Sequence, residues 1–192
     1  MKKIFGLLVI GSLLFFSQVQ AAEVYTIDSA HSSIGFAAKH MMVSNVTGTF
    51  DQFEGTVAFD PNDLAVAKAE AMIQTVSINT RVTKRDEHLK GSDFFDAAKY
   101  PQITFVSKKI TKSGDGYTID GDLTMKGVTK EVSIPVTIAG PVKSPMGEVI
   151  GISGQFTLNR QDYGVSFNKV LDNGGVVVSN DIKVDINLEA KK

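Results

Sequence analysis

Apolar residues occupy every second position in many segments between Glu23 and Leu188, and turns rich in Gly, Asp and Asn separate these segments. Such alternation places the apolar side chains on one face of a β-strand and the polar side chains on the other. The clearest apolar series are Tyr117, Ile119, Leu123 and Met125; Val132, Ile134, Val136 and Ile138; Ile152, Phe156 and Leu158; and Ile182, Val184, Ile186 and Leu188. The pattern predicts a sheet with one apolar face.

The chain contains ten predicted strands and few helices. The predicted strands lie near 23–28, 32–40, 45–50, 54–60, 67–80, 102–112, 116–126, 129–140, 149–159 and 180–190. Glycine-containing links at 112–116 and 126–129 are typical of hairpins and indicate antiparallel, up-and-down order. Because few helices are available to cover it, the apolar face closes as a barrel or packs as a sandwich.

Helical patterns are limited to two short segments. The segment Thr83 to Asp93 predicts a helix in which Thr83 caps the start, Asp86 occupies the third helical position and Gly91 ends the element. Residues 159–168 predict one additional helical turn. The glycines and prolines of 140–147 predict a loop.

The N-terminal segment has the three parts of a secretory signal. Lys2 and Lys3 precede an apolar run over 4–16, and the small residues Val19 and Ala21 precede the expected cleavage site. The run is shorter than the ~20 residues of a membrane span, although a retained anchor is the alternative. We therefore predict a cleaved signal peptide over 1–21, a single domain over 22–192, and export to a bacterial periplasm.

Composition and motifs argue against several classes of function. Without Lys2 and Lys3 the chain has 18 basic and 21 acidic residues, a formal charge of −3, and no basic tract that would bind nucleic acid. Absence of cysteine excludes thiolate catalysis and disulfides. The three histidines lack metal-ligand spacing, and no nucleophile elbow or phosphate loop is present. We expect no enzyme activity, cofactor or metal.

Phenylalanine is abundant in the predicted domain. Three of the twelve Phe lie in the signal, which leaves nine, and there is no Trp. These rings either fill a barrel core or line a cavity, because a barrel of about eight strands is near the size at which one small ligand fits. The sequence leaves both outcomes open.

Several motifs, in this order, cover almost the whole domain. They are 31–36 (HSSIGF) with Lys39 and His40; 48–50 (GTF) and 53–55 (FEG); 85–89 (RDEHL), 93–96 (DFFD) and 100–101 (YP); 105–107 (FVS); 121–130 (GDLTMKGVTK); 160–164 (RQDYG); and 181–186 (DIKVDI). In these motifs the chain resembles the YceI-like family. It departs from the family pattern at Phe167, where Trp is expected, and at 176–178.

The resemblance implies an antiparallel up-and-down, lipocalin-like barrel and a polyisoprenoid or similar ligand, such as a fatty acid or amide. The resulting hypothesis is a periplasmic carrier or scavenger of a long-chain amphiphile. The alternatives are an enzyme or stress-response protein acting on lipid-like molecules, with His40, Arg85 or Asp86 in proton transfer, and a filled barrel that serves only protein contacts.

Inward positions of the predicted strands are the candidate cavity residues. They are Ile34, Phe36, Phe50, Phe59, Phe105, Ile119, Leu123, Met125, Ile134, Val136, Phe156 and Leu158. His40 and Arg85 are the candidate head-group residues at the mouth. Strands of about ten residues give a barrel near 25 Å tall. A tail of eight isoprene units is longer, so it folds back, protrudes or enters a second subunit, as in a homodimer.

Overall fold

The computed structural model describes residues 22–145, 147–169 and 176–192, and the predicted signal peptide lies outside them. The strands are β1 Glu23–Ile27, β2 Ser33–His40, β3 Ser44–Phe50, β4 Phe53–Phe59, β5 Lys68–Gln74, β6 Ile78–Asn79, β7 Gln102–Ser113, β8 Gly116–Met125, β9 Val128–Ser144, β10 Gly147–Asn159 and β11 Val178–Lys191. One α-helix, α1, spans Thr83–Lys90, and 3-10 turns span Ser29–His31, Leu64–Val66, Thr75–Ser77 and Arg160–Tyr163.

The strands form a closed antiparallel barrel. The ring has eight strand positions, here called staves. Three staves each consist of two short consecutive strands: β1 with β2, β3 with β4, and β5 with β6. The other five are β7 to β11, and each stave pairs with the next along the chain. Both β1 and β2 pair with β11, which closes the ring. The predicted up-and-down barrel of about eight strands is confirmed.

Asp28 stabilises the seam where the first stave bends between β1 and β2. Its carboxylate accepts a hydrogen bond from the Ala30 amide at 3.1 Å, as the N-cap of the Ser29–His31 turn. It also contacts His31 Nδ1 at 3.1 Å and Lys191 Nζ at 3.0 Å. These contacts, with His31 first, hold the pKa of Asp28 at about 2. The seam therefore joins the first and last strands by side chains as well as backbone.

Two predicted hairpins are present, and one predicted loop is not. Ser113 pairs with Gly116, and Met125 with Val128, so both glycine-containing links are tight turns. The segment 140–147, expected to be a loop, is largely strand: β9 continues to Ser144, which pairs with Gly147. Pro141 is tolerated because the register between β9 and β10 shifts there, and a bulge needs no amide donor at that point. The predicted strand 67–80 is likewise broken by the 3-10 turn Thr75–Ser77.

Helix α1 begins differently from the prediction and ends as predicted. Gly91 is the C-cap, but Val82 is the N-cap and no side chain caps the first turn. The Asp86 carboxylate instead accepts hydrogen bonds from the Thr80 amide, at 2.8 Å, and from the Thr80 hydroxyl. Arg85 donates to the same hydroxyl at 2.7 Å and to the Thr80 carbonyl at 2.9 Å. Both charged residues thus tie the helix to the end of β6. The predicted additional helical turn is the 3-10 turn Arg160–Tyr163.

The buried side chains form two clusters at opposite ends of the barrel. On β8 the first cluster contains Ile119, and the second contains Leu123 and Met125. In the first cluster Tyr25 is 2% exposed and donates from its hydroxyl to Glu148 at 2.7 Å. Burial, together with the nearby Glu148 carboxylate, raises the pKa of Tyr25 to about 12. Each end of the barrel thus has its own packed layer.

We expect Asp86→Ala to destabilise the fold by about 1–3 kcal/mol, because it leaves the buried Thr80 amide and hydroxyl without their acceptor. Urea unfolding measures the change. Glu87→Ala is the control, since that neighbouring carboxylate is exposed and makes only a surface ion pair with Lys90. Equal midpoint shifts in the two variants would contradict a buried role for Asp86.

Candidate functional site

An apolar cavity of about 220 Å³ lies inside the barrel. A site for one water needs only roughly 10–15 Å³, so this space is far larger than a packing defect. The lining residues are Ile27, Ile34, Gly35, Phe36, Ala38, Phe50, Val57, Ala69, Glu70, Ala71, Ile73, Leu89, Phe94, Phe95, Ile103, Phe105, Ile119, Leu123, Met125, Ile134, Val136, Ile152, Phe156, Leu158, Arg160, Val165, Val178, Ile182, Val184, Ile186 and Leu188. The barrel is therefore not filled by its own side chains.

The structure brings eleven of the twelve candidate cavity residues together around this space. They are Ile34, Phe36, Phe50, Phe105, Ile119, Leu123, Met125, Ile134, Val136, Phe156 and Leu158. Phe59 does not line the cavity: it is 4% exposed and packs edge-on against Tyr117, with ring centroids 5.3 Å apart. It faces inward as predicted, but at the end of β4, within the packed first cluster.

Some lining residues were not predicted. Four of them, on β11, belong to an apolar series that the sequence made visible: Ile182, Val184, Ile186 and Leu188. Leu89, Phe94, Phe95 and Val165 lie outside the barrel strands and cover one end of the cavity. Only tertiary packing brings this second group to the cavity.

Two phenylalanine rings in the wall lie over glycines of neighbouring strands. A Cβ added at Gly48 would be 2.5 Å from Phe36 Cζ, and one at Gly121 would be 2.6 Å from Phe105 Cζ. A larger residue at either glycine would therefore displace the ring or the backbone beside it. The missing side chains let both rings lie close against the sheet.

Aromatic rings also pack at the end of the cavity near α1. Phe167 contacts Phe94 and His88, with ring centroids 4.8 Å and 5.1 Å apart, and His88 contacts Phe94 at 5.0 Å. Phe167, which occupies the position where the family resemblance suggests Trp, thus remains part of an aromatic cluster. This cluster holds Phe94 against the cavity.

Arg160 is a charged residue in the cavity wall and was not among the predicted site residues. It is 4% exposed and begins the 3-10 turn that follows β10. Its guanidinium donates to the carbonyls of Val165 at 2.6 Å, Ser179 at 2.9 Å and Val178 at 3.3 Å, and to Asn180 Oδ1 at 3.3 Å. Burial lowers the pKa of this guanidinium, although arginine remains protonated in proteins.

Within residues 22–145, 147–169 and 176–192, no carboxylate forms an ion pair with Arg160. Glu70 also borders the cavity, but it is exposed. Its neighbours Ala69 and Ala71 lie on the inner face of β5, and alternation therefore places the Glu70 side chain on the outer face. The charge of Arg160 is therefore buried among neutral acceptors.

The two predicted mouth residues lie elsewhere. His40 ends β2, where it pairs with Ser44 and Val178 in the sheet, and it does not line the cavity. Arg85 is also outside the cavity lining, with its guanidinium bonded to Thr80. His40 was inferred from its place at a strand end, and Arg85 from a helix expected to cover one end of the barrel; neither observation reveals whether the side chain reaches the interior.

One group of described residues has the composition of a metal site. Asp28, His31 and Glu189 each offer a ligand atom, and these atoms lie within 4.8 Å of one another. The Asp28 carboxylate also contacts Lys191 at 3.0 Å, and the group lies at the barrel seam, away from the cavity. The contacts of this group therefore account for it as part of the strand closure.

We expect Ile134→Trp to lower the free energy of unfolding less than Ile150→Trp does. Urea unfolding measures both changes. Both isoleucines are buried on adjacent strands, but only Ile134 borders the cavity, where empty space can accept the larger ring. The same ring at Ile150 enters a packed layer and should cost about 1–3 kcal/mol or more. Equal losses at the two positions would contradict a preformed cavity.

Among the described residues, no helix has the length and apolar character of a membrane span.

A profile of the YceI-like domain matches residues 25–190. A UPF0312 protein of Staphylococcus aureus is 44% identical over 167 residues, which cover 86% of this chain and 95% of the relative.

Solved structures show the same fold. BcnA of Burkholderia cenocepacia has a TM-score of 0.76 and 29% identity, covering 85% of this chain and 98% of its own. The YceI protein of Campylobacter jejuni has a TM-score of 0.69 and 34% identity, covering 80% and 89%. A polyisoprenoid binding domain of Saccharophagus degradans, with a TM-score of 0.63, 17% identity and coverage of 87% and 97%, shares the fold alone. On the profile match and these identities, the chain belongs to the YceI-like domain family.

Proposed function

We propose that this protein is an exported carrier or scavenger, without catalytic activity, that holds a long-chain amphiphile in its barrel. The observation that carries the proposal is the apolar cavity, which is bordered by nearly every strand of the ring. A single apolar chain inserted there would meet almost only hydrocarbon and aromatic side chains. A polyisoprenoid, a fatty acid or a fatty amide has this character, and the polyisoprenoid binding domain of Saccharophagus degradans has the same fold.

The energetics favour a ligand class rather than one chain length. Burial of apolar surface contributes roughly 25 cal/mol per Å², so each additional methylene adds affinity wherever it contacts the wall. The wall carries few polar groups that would fix the position of a tail. Selection among amphiphiles would therefore depend on the head group. A tail longer than the barrel would fold back, protrude or enter a second copy of the chain in a homodimer.

The contacts of the described residues favour a carrier over the enzyme alternative. Of the three residues considered for proton transfer, His40, Arg85 and Asp86 all lie outside the cavity lining. Both Asp86 and Arg85 are bonded to Thr80 at the start of α1. Catalysis would need such groups within hydrogen-bond reach of a substrate in the cavity.

Export to the periplasm is the expected setting, and intact mass tests it. Val19 and Ala21 satisfy the small-residue rule for signal cleavage, so protein recovered from a native host should lack its first 21 or 22 residues. Mass spectrometry of the periplasmic fraction measures this directly. A full-length chain that fractionates with the inner membrane would contradict both the location and the carrier function that depends on it.

Native mass spectrometry before and after organic extraction tests the ligand. The purified protein should carry an extractable lipid, and Leu123→Trp with Ile134→Trp should abolish or greatly reduce the adduct because both rings enter the cavity. Val106→Trp is the matched control, since Val106 is 48% exposed and follows the inward-facing Phe105. A well-folded double variant that retains the full adduct would show that the lipid binds elsewhere.

A further inference from the structure

We infer that Arg160 is the head-group site of the cavity, and that it selects amphiphiles whose head is an anion, either a carboxylate or a phosphate. The inference rests on the proposed function and specifies which ligand class the cavity prefers. It assigns the head to the end of the barrel that contains α1 and the second buried cluster.

The position of Arg160 supports this assignment. It follows Leu158 by two residues at the end of β10, and both residues line the cavity. Val165 and Val178 line the cavity as well, and their carbonyls accept hydrogen bonds from the guanidinium. These bonds fix the guanidinium at the wall, so a ligand would meet a preorganised cation rather than a mobile side chain.

The buried charge of Arg160 has no anionic partner among the described residues. A buried charge is normally paired, because removing an ion from water is costly. Here the described partners are three carbonyls and one amide oxygen, all of them neutral. These four bonds also leave one of the five guanidinium hydrogens without an acceptor among the described residues. An anionic oxygen entering the cavity would supply both the countercharge and the missing acceptor.

Other basic residues in the described ranges fit this role less well. Arg85 and His40 are outside the cavity wall. Lys108 pairs with Asp122 and Glu131, and Lys191 pairs with Asp28, all at the surface of the barrel. Arg160 combines burial, a place in the wall and the lack of a described carboxylate partner.

The orientation of the ligand follows from this site. With its head at Arg160, the tail would extend past Leu158 and Phe156 toward Ile134, Val136 and Ile152 in the first cluster. Beyond them Tyr25 and Ile150 are almost completely buried and close that end. The head would then remain at the end of the barrel that Leu89, Phe94 and Val165 cover.

The experiment compares palmitate, hexadecyl phosphate and hexadecanol, which have the same tail and different heads, on delipidated protein. Wild type should bind at least one of the two anions about 10- to 100-fold more tightly than the alcohol, the range typical of a hydrogen bond to a charged group. Arg160→Gln should remove this preference and leave the affinity for hexadecanol within a few fold. Arg160→Lys should retain part of the preference, because it keeps the charge but loses the planar fork.

Arg85→Gln is the matched control. It removes another partly buried arginine that bonds a carbonyl, but one that lies outside the cavity wall, so the preference for anions should remain. A preference for palmitate identifies a carboxylate head, and a preference for hexadecyl phosphate identifies a phosphate head; either supports the assignment. Equal binding of all three ligands by wild type, or an unchanged preference in Arg160→Gln, would overturn it.

A second measurement uses only the wild-type protein, in case Arg160→Gln fails to fold. Palmitate labelled with ¹³C at the carboxyl is titrated by NMR in the complex. A guanidinium beside the head should lower the carboxyl pKa below that of the same carboxyl exposed to water. An unshifted pKa would place the head in solvent, and a raised pKa would place it in an apolar region. Either result would overturn the assignment.

If no ligand binds at all, the proposed function itself fails. Binding without discrimination between the heads overturns only the assignment of Arg160.

Discussion

Closure of an antiparallel ring between the first and last strands is the constraint on which the molecule depends. Because β11 pairs with β10 on one side and with β1 and β2 on the other, each described stave of the ring pairs with a neighbour on both sides. The interior can therefore be almost wholly apolar. Eight staves also enclose a space that the inward side chains do not fill, and the cavity is what remains.

The two ends of the barrel are built differently. Near the first cluster, Tyr25, Phe59 and Ile150 fill the barrel and give it a stable closed end. Near the second, residues outside the ring, including Leu89 and Phe94, form the cover. This cover consists of the short helix α1 and the segment that connects it to β7. It is not held by strand pairing on two sides, as each stave of the ring is. For the proposed ligand, this difference in construction favours entry at the covered end.

The sequence predicted the barrel and eleven residues of its lining because alternation reports which face a side chain occupies. It does not report depth along the axis, which is why Phe59 was placed in the cavity although it belongs to a packed layer. Arg160 was missed for another reason: its acceptors come from Val165, Val178 and Ser179, which only the folded chain brings to one place. His40 and Arg85 were selected as polar residues at a strand end and on the covering helix, and such placement does not show whether a side chain contacts a ligand.

The position of β11 after all the other strands of the ring has a consequence for synthesis. This strand is 14 residues long and supplies five of the lining residues: Val178, Ile182, Val184, Ile186 and Leu188. A nascent chain that lacks it has an open sheet with two unpaired edges instead of an enclosed interior. An enclosed cavity therefore forms only once β11 has been made, and a product that lacks this strand would be an aggregation hazard.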